Sequence, residues 1–392
     1  MTRSVYSVHD VRRAARRRLP RIAFDFIDGG AEDETTLHAN REAFRRWALR
    51  PRHLRGTAER DQSTTVLGER LSSPVILGPA GMQRIAHRLG EVAAARAAAS
   101  AGTRYALSSY SSLRLEEVAA AAPPPTVWFQ IYLWKDRRSN EELLERVRRA
   151  GIRVLIVTVD SPLSGKRERD LRNGFTLPLR PNVRMAADLA ANPRWLVDYL
   201  RGGQITFANF TEIGAGKRPA ALFAYVNQEL AFPGATIDEL HWLRERWEGP
   251  LVIKGTMTAE DAVEAVECGV DGICVSNHGG RQVDGALASL EALPEIVAAA
   301  PSVEVFFDGG VRRGSEVLKA LALGARAVFV ARPYLFGLAM DGQRGAELVL
   351  EIYRDEIDVT MALIGRRSLD GIDDGSVVRR ASPDPAPTAT TT

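Results

Sequence analysis

The chain has 392 residues, of which 45% are hydrophobic and 26% charged, and a formal net charge of +3. That length can bury the core of one barrel-sized domain or of two ordinary ones, and so small a net charge argues against a nucleic-acid partner. Two cysteines, Cys268 and Cys274, supply neither a disulfide framework nor a CxxC metal spacing, which points to a reducing, cytoplasmic setting.

The opening MTRSVYSVHDVRRAARRRLP carries no apolar core of signal-peptide length, and no apolar run along the chain reaches a membrane span. Ser7 and Asp10 have capping-box spacing and predict a helix that ends near Pro20. From about residue 75 a repeat sets in, with short β-branched runs alternating with alanine-rich segments of helical period. The predicted strands are 75–79, 104–109, 127–132, 154–160, 251–255, 272–277, 303–310 and 327–332. Gly102, Gly151, Gly269 and Gly324 stand where left-handed helix C-caps are wanted. Eight apolar strands with helical crossovers predict a (β/α)8 TIM barrel, an α/β fold, spanning residues 1–380 as one domain with an N-terminal helical segment. An open doubly wound sheet is the runner-up, but no GxGxxG follows the first strand.

The connection after the fourth strand, Asp160 to Leu251, is far longer than one βα unit needs. Its central part, 176–236, is expected to form a lid or a surface facing a membrane or partner. Trp195, Leu196 and Tyr199 are open to either reading, packed beneath a lid or touching a bilayer. GAGK, at 214–217, is too short for a phosphate loop and reads as flexible chain. The tail 381–392, ASPDPAPTATTT, is expected to be disordered.

The chemistry of such a barrel sits at the C-terminal strand ends. Those ends carry Ala80-Gly81, Ser108, Gln130 with Tyr132, Thr158 with Asp160, Lys254, Ser276 with His278, Asp308-Gly309-Gly310 and Arg332. Any one of them alone reads as a polar cap; a structural rim has no need of a lysine, a histidine and several arginines together. DGGVRRGSEVLKAL places glycines and Arg312 between a strand and a helix start, which suits a phosphorylated ligand, either substrate or cofactor. Lys254 could form a Schiff base, bind an anion, stabilise a reduced flavin or sit in a structural ion pair. His278 and Asp160 read as a base with its carboxylate partner, the carboxylate favouring the imidazolium. Arg167 and Arg281 suit a substrate carboxylate. The remaining histidines show no metal-ligand spacing, so no metal is expected.

At these residues the chain resembles the FMN-dependent L-2-hydroxy acid oxidase/dehydrogenase family, which includes glycolate oxidase, L-lactate dehydrogenase, mandelate dehydrogenase and hydroxymandelate oxidase. The motifs carrying the likeness are LPRIAFDFIDGGAEDE, WFQIY, TVDSP…GKRERDLRNGF, IKG, SNHGGRQ, DGGVRRGSEVLKALALGA and ARP, with NPRWLVDYLRGG…FANF closest to the mandelate and lactate dehydrogenase branch. The resemblance implies FMN, a 2-hydroxy acid substrate, and a quinone, another carrier or O₂ as electron acceptor. It also implies a homotetramer and leaves room for peripheral contact with the inner face of a membrane. Carried over residue by residue, Ser108, Gln130, Thr158 and Ser276 would hold the flavin ring, with Lys254 beside it and the backbone of Pro79, Ala80 and Gly81 facing it. Asp308, Gly309, Gly310, Arg312, Ala331 and Arg332 would hold ribityl and phosphate. His278 would be the base oriented by Asp160, Tyr132 would bind the substrate oxygen, and Arg167 and Arg281 would grip the carboxylate. Phe26 stands where many relatives have tyrosine and Tyr110 where glycolate oxidase has tryptophan, both on the substrate side; hydroxymandelate oxidases look similar here, so the expected substrate is a medium-sized or aromatic acid, mandelate-like or lactate-like. Ala80 and Ala331 replace a threonine and a glycine of the family. Gly81 matches the dehydrogenases rather than the oxidases. The rival readings are a same-fold flavoenzyme for a peptide-derived or natural-product substrate, and a barrel that binds a phosphorylated metabolite without redox chemistry.

Overall fold

The β-branched and aromatic runs form eight parallel strands that close on themselves in sequence order. They are β1 (Val75–Leu77), β2 (Tyr105–Ser108), β3 (Val127–Ile131), β4 (Leu155–Thr158), β5 (Leu251–Thr256), β6 (Gly272–Val275), β7 (Glu304–Asp308) and β8 (Ala327–Val330). This computed structural model describes residues 5–176, 183–203, 205–210, 225–226, 228 and 232–380. The strands match the sequence expectation within a residue or two at most ends. Gly102, Gly151, Gly269 and Gly324 have φ of 65°, 72°, 79° and 102°, as left-handed caps require.

Side chains alternate along each strand, and the closed sheet turns that alternation into two cores. Ile76, Ala106, Trp128, Ile156, Val252, Cys274, Phe306, Ala327 and Phe329 fill the barrel interior, which Val66 and Leu71 of a short hairpin also join. Leu77, Leu107, Phe129, Val157, Ile253, Val275, Phe307 and Val330 face the surrounding helices. Two positions beyond the interior residues come Ser108, Gln130, Thr158, Lys254, Ser276 and Asp308, so the same parity directs these polar residues inward at the C-terminal mouth.

The N-terminal segment forms α1 (Val8–Arg18), α2 (Arg21–Asp28) and α3 (Thr35–Glu42). Ser7 caps α1 by accepting from the Asp10 N–H, as expected. α1 packs on the final helix, Arg332–Leu363, which breaks at Asp341–Gly342. α2 brings its C-terminus, with Phe26 and Ile27, to the barrel mouth.

Within the insertion, helices Val183–Ala191 and Pro193–Gly202 and a short turn at Ala208–Phe210 lie among the described residues. Trp195 is buried and donates from Nε1 to the Ile85 carbonyl at 2.8 Å, while Tyr199 stacks on its ring. The packed reading therefore holds for Trp195, because its polar atom has a protein partner. GAGK and the 381–392 tail lie outside the described residues.

Trp128 is the largest fully buried interior side chain, in edge contact with Phe306 and Phe329. Trp128→Ala is expected to destabilise the fold by about 3–5 kcal/mol, read as a lower urea midpoint at unchanged slope.

Candidate active site

A cavity of 580 Å³ opens at the C-terminal mouth. Its lining includes Pro79, Ala80, Gly81, Tyr110, Tyr132, Arg167, Lys254, His278, Arg281, Asp308, Gly309, Gly310, Arg312, Ala331 and Arg332, with Phe26 from α2. Ser108, Gln130, Thr158, Asp160 and Ser276 are absent from that lining and stand behind it as its support.

The turn after β6 answers why a histidine is followed by two glycines. His278, Gly279 and Gly280 have φ of 57°, 64° and 73°, three successive left-handed residues that fold the chain back over the mouth. For a histidine this backbone is costly, and the Ser276 hydroxyl supports it by accepting the His278 N–H at 3.0 Å. His278 Nδ1 lies 2.8 Å from Asp160 Oδ1. Burial outweighs that carboxylate and lowers the imidazole below its ordinary range, while Asp160 pulls the other way and favours the imidazolium, as the sequence suggests. Burial also opposes the Asp160 anion, but His278, Lys254 and Ser161 hold its carboxyl down at about 2. An ionised carboxylate only accepts, so Nδ1 carries the proton and Nε2 has the free lone pair.

Lys254 lies 3.0 Å from Asp308 and donates to Ser276 Oγ at 2.8 Å; Ser276 Oγ in turn donates to Asp308 at 2.6 Å. Burial would lower the ammonium, yet Asp308 and Asp160 raise it overall. A permanently charged ammonium is no Schiff-base nucleophile, which removes that reading. Both the ion pair and a fixed positive charge facing the cavity are present.

The arginines behave differently from the lysine. Arg281 Nη1 donates to the carbonyls of Phe26 and Gly29, both at 2.9 Å, and the guanidinium lies 5.4 Å from the Phe26 ring centre. Arg332 donates to Ile27, Gly279 and Gly29 carbonyls at 3.2, 2.9 and 2.8 Å, so every guanidinium nitrogen already has a backbone acceptor. All but that of Gly279 are carbonyls at the C-terminus of α2, where the helix dipole favours a cation. Arg312 donates from Nη1 to the Val311 carbonyl at 2.7 Å. Burial lowers the pKa of Arg281, Arg312 and Arg332, the last to about 10. Among the described residues none of Arg167, Arg281, Arg312 and Arg332 has a carboxylate within ion-pair distance.

Aromatic side chains make up much of the remaining wall. Phe26 stacks on Phe175 at 4.6 Å, and Tyr110 packs against Tyr132 at 5.0 Å and Phe207 at 4.8 Å. Burial, then the nearby Asp160, pushes the Tyr132 phenol up to about 12, so it stays a donor. Gly81 has a packing reason of its own, since a Cβ there would lie 2.8 Å from Tyr110 Cβ. Ala331 has φ of −115°, a region open to alanine, so the lost glycine is harmless. Sequence reasoning missed Asp170, whose carboxyl lines the cavity and is raised by burial against the pull of Arg281 and Arg167. It missed Gln282 as well; both lie inside quoted motifs, but neither residue type signals its role at its own position.

The site fits a flat heteroaromatic phosphate. Ser108 Oγ donates to Gln130 Oε1 at 2.8 Å, which leaves Gln130 Nε2 buried without a partner. Thr158 Oγ1, in register with Lys254, is likewise buried and unpartnered. Unsatisfied donors at the barrel floor, a fixed ammonium and an unpaired Arg312 beside Gly309-Gly310 are what a ring with carbonyl edges and a phosphate would satisfy.

The comparisons agree with this geometry. The FMN-dependent dehydrogenase family model matches residues 15–379. The chain is 43% identical over 371 residues to 2-hydroxyacid oxidase 1 of Homo sapiens, covering 93% of this chain and 94% of the relative. It is 44% identical over 374 residues to L-lactate oxidase of Nostoc sp., covering 94% and 97%. The solved structure of the monotopic membrane protein (S)-mandelate dehydrogenase superposes with a TM-score of 0.93 at 34% identity, covering 96% of this chain and 100% of that one. Fold, motif residues and relatives converge, and the chain belongs to the FMN-dependent dehydrogenase family.

Proposed function

We propose that the chain oxidises an aryl-substituted L-2-hydroxy acid to the 2-oxo acid. The observation that carries this reading is that a neutral imidazole and two unpaired guanidinium groups, Arg167 and Arg281, face one aromatic-walled cavity. FMN, when bound, supplies the two-electron acceptor for the oxidation. Gln130, Thr158, Ser108, Ser276 and Lys254 would hold its ring, with the backbone of Pro79, Ala80 and Gly81 on the cavity side. Asp308, Gly309, Gly310, Arg312 and Ala331 would hold the ribityl and phosphate. Arg332 would join them: its three backbone bonds use three of the five guanidinium N–H donors and leave two for the phosphate.

Arg281 and Arg167 bind the substrate carboxylate, and Tyr132 donates to a substrate oxygen. His278 Nε2 takes the proton that leaves the substrate. As it does so the imidazole becomes a cation, and Asp160 stabilises that cation at 2.8 Å. Asp160 thus acts during turnover more than at rest. The aryl preference rests on Phe26, Phe175, Tyr110 and Phe207, which offer apolar faces on the substrate side of the cavity. Mandelate dehydrogenase and mandelate oxidase among the similar structures support it. A quinone or other carrier takes the electrons onward in this proposal, supported by the likeness to a dehydrogenase; the oxidase relatives make O₂ the second reading. For the insertion, exposed Val197 and Leu200 and the monotopic neighbour support peripheral membrane contact, while no helix among the described residues is long and apolar enough to cross a membrane.

Under anaerobic conditions mandelate should bleach the protein's flavin, and His278→Asn should slow that step by about 10²–10⁴-fold; flavin that no 2-hydroxy acid bleaches rejects the reading. The base must be neutral to work, so kcat/KM should rise with pH through the lowered His278 pKa, an acid limb below about 6.5. Asp160 raises that pKa, so Asp160→Asn should move the limb to still lower pH while kcat falls. A limb that moves upward contradicts the assignment. The ratio of kcat/KM for mandelate over lactate should exceed about tenfold from ring burial and shrink in Phe175→Ala. A wild-type preference for the smaller acid would remove the aryl assignment.

A further inference from the structure

One amide joins the two loops that carry the proposed chemistry. Gln282 closes the SNHGGRQ turn and is buried at the cavity edge. Its Nε2 donates to the Asp160 carbonyl at 3.0 Å and to the Leu163 carbonyl at 2.9 Å. Its Oε1 accepts from the Gly165 N–H and from Arg167 Nη2, each at 3.3 Å. A primary amide offers two donor hydrogens and two acceptor lone pairs, so the 160–167 loop saturates this side chain. The amide orientation follows from its partners, since carbonyls on one side and N–H donors on the other admit one assignment. The two loops also touch directly: a Cβ at Gly165 would lie 2.4 Å from the Arg281 carbonyl oxygen and 2.5 Å from that of Gln282.

The 160–167 loop presents Asp160 to His278 and Arg167 to the cavity, while the 278–282 turn presents His278 and Arg281. We propose that Gln282 is a positioning residue that assembles base and carboxylate grip as one unit, setting Asp160 and Arg167 together against His278 and Arg281. This rests on the roles given to those residues under the proposed function. Glutamine is the residue the geometry selects. Glutamate would point a carboxylate at two carbonyl oxygens, and asparagine is one methylene too short to span all four partners. Arg167 also gains a defined direction, since its Nε is buried with no other partner. An ordinary structural contact would influence stability alone; a positioning contact reaches the pKa of the base and the affinity for anions.

The test is Gln282→Met in the holoprotein, which keeps an unbranched chain of similar length and removes all four hydrogen bonds. Phenylacetate, a carboxylate with no hydroxyl to oxidise, reports the grip through its perturbation of flavin absorbance. Its Kd should rise by about tenfold, the size of one charge-assisted hydrogen bond lost through a mispositioned arginine. The acid limb of kcat/KM should move to lower pH, because a displaced Asp160 raises His278 less. Trypsin should cut faster after Lys166. Gln282→Asn should shift all three readouts the same way and serves where the methionine variant does not accumulate folded. A lower unfolding midpoint with phenylacetate Kd, acid limb and cleavage rate unchanged would overturn the proposal. Failure of every 2-hydroxy acid to reduce the wild-type flavin would reject the functional reading instead, and phenylacetate affinity and cleavage rate would still judge the latch.

Discussion

Positive charge taken out of water without a partner is the constraint on which the rest of the structure turns. A buried guanidinium costs several kcal/mol unless an anion or a full set of acceptors offsets it. Arg167, Arg281, Arg312 and Arg332 line one cavity with no ion-paired carboxylate among the described residues. The C-terminal carbonyls of α2 relieve Arg281 and Arg332 in part. The same carbonyls account for the N-terminal segment, which closes the mouth of the barrel rather than hanging beside it. The balance is left for ligands, and in the proposed reading two anionic groups, a cofactor phosphate and a substrate carboxylate, supply it.

Lys254 and His278 are paired internally, and that contrast separates them from the arginines. Lys254 is neutralised by Asp308, and His278 is oriented by Asp160. Those pairs need no ligand to hold their geometry and can be rigid before substrate arrives. In the proposed reading the unpaired arginines select what enters. Burial disfavours the imidazolium, and in the proposed mechanism the carboxylate holds the charge that the imidazole acquires on taking a proton. Rigidity of this arrangement comes from below, where Trp128, Phe306 and Phe329 pack the barrel interior directly under the polar layer.

Much of this was legible in the sequence because strand parity is local. Once eight apolar runs were placed, the inward positions at their ends, Gln130, Thr158, Lys254, Ser276 and Asp308, followed from alternation alone. Residues whose function depends on distant chain were not legible. Gln282 reads as one polar loop residue among several until the fold lays the 160–167 loop across it, more than a hundred positions away in the chain. Arg332 reads as a phosphate ligand from its strand end, but its bonds to the Ile27 and Gly29 carbonyls of α2 had no signal at its own position. Gly81 reads as a marker of acceptor choice; the close approach of Tyr110, which a methyl there would have to displace, becomes visible only in the fold. The histidine pKa was legible only in its carboxylate contribution: that partner is visible in a motif, whereas the extent of burial is a property of the closed cavity.

The charge argument is tested most directly by comparing anaerobic flavin reduction by (S)-mandelate and by its primary amide. The two share a ring, a hydroxyl and nearly the same shape, and differ in the negative charge. The account predicts that the amide is slower in kcat/KM by about 10²-fold or more, as expected when a buried charged partner is removed. An amide oxidised as readily as the acid would contradict it, because the unpaired arginines would then be waiting for nothing.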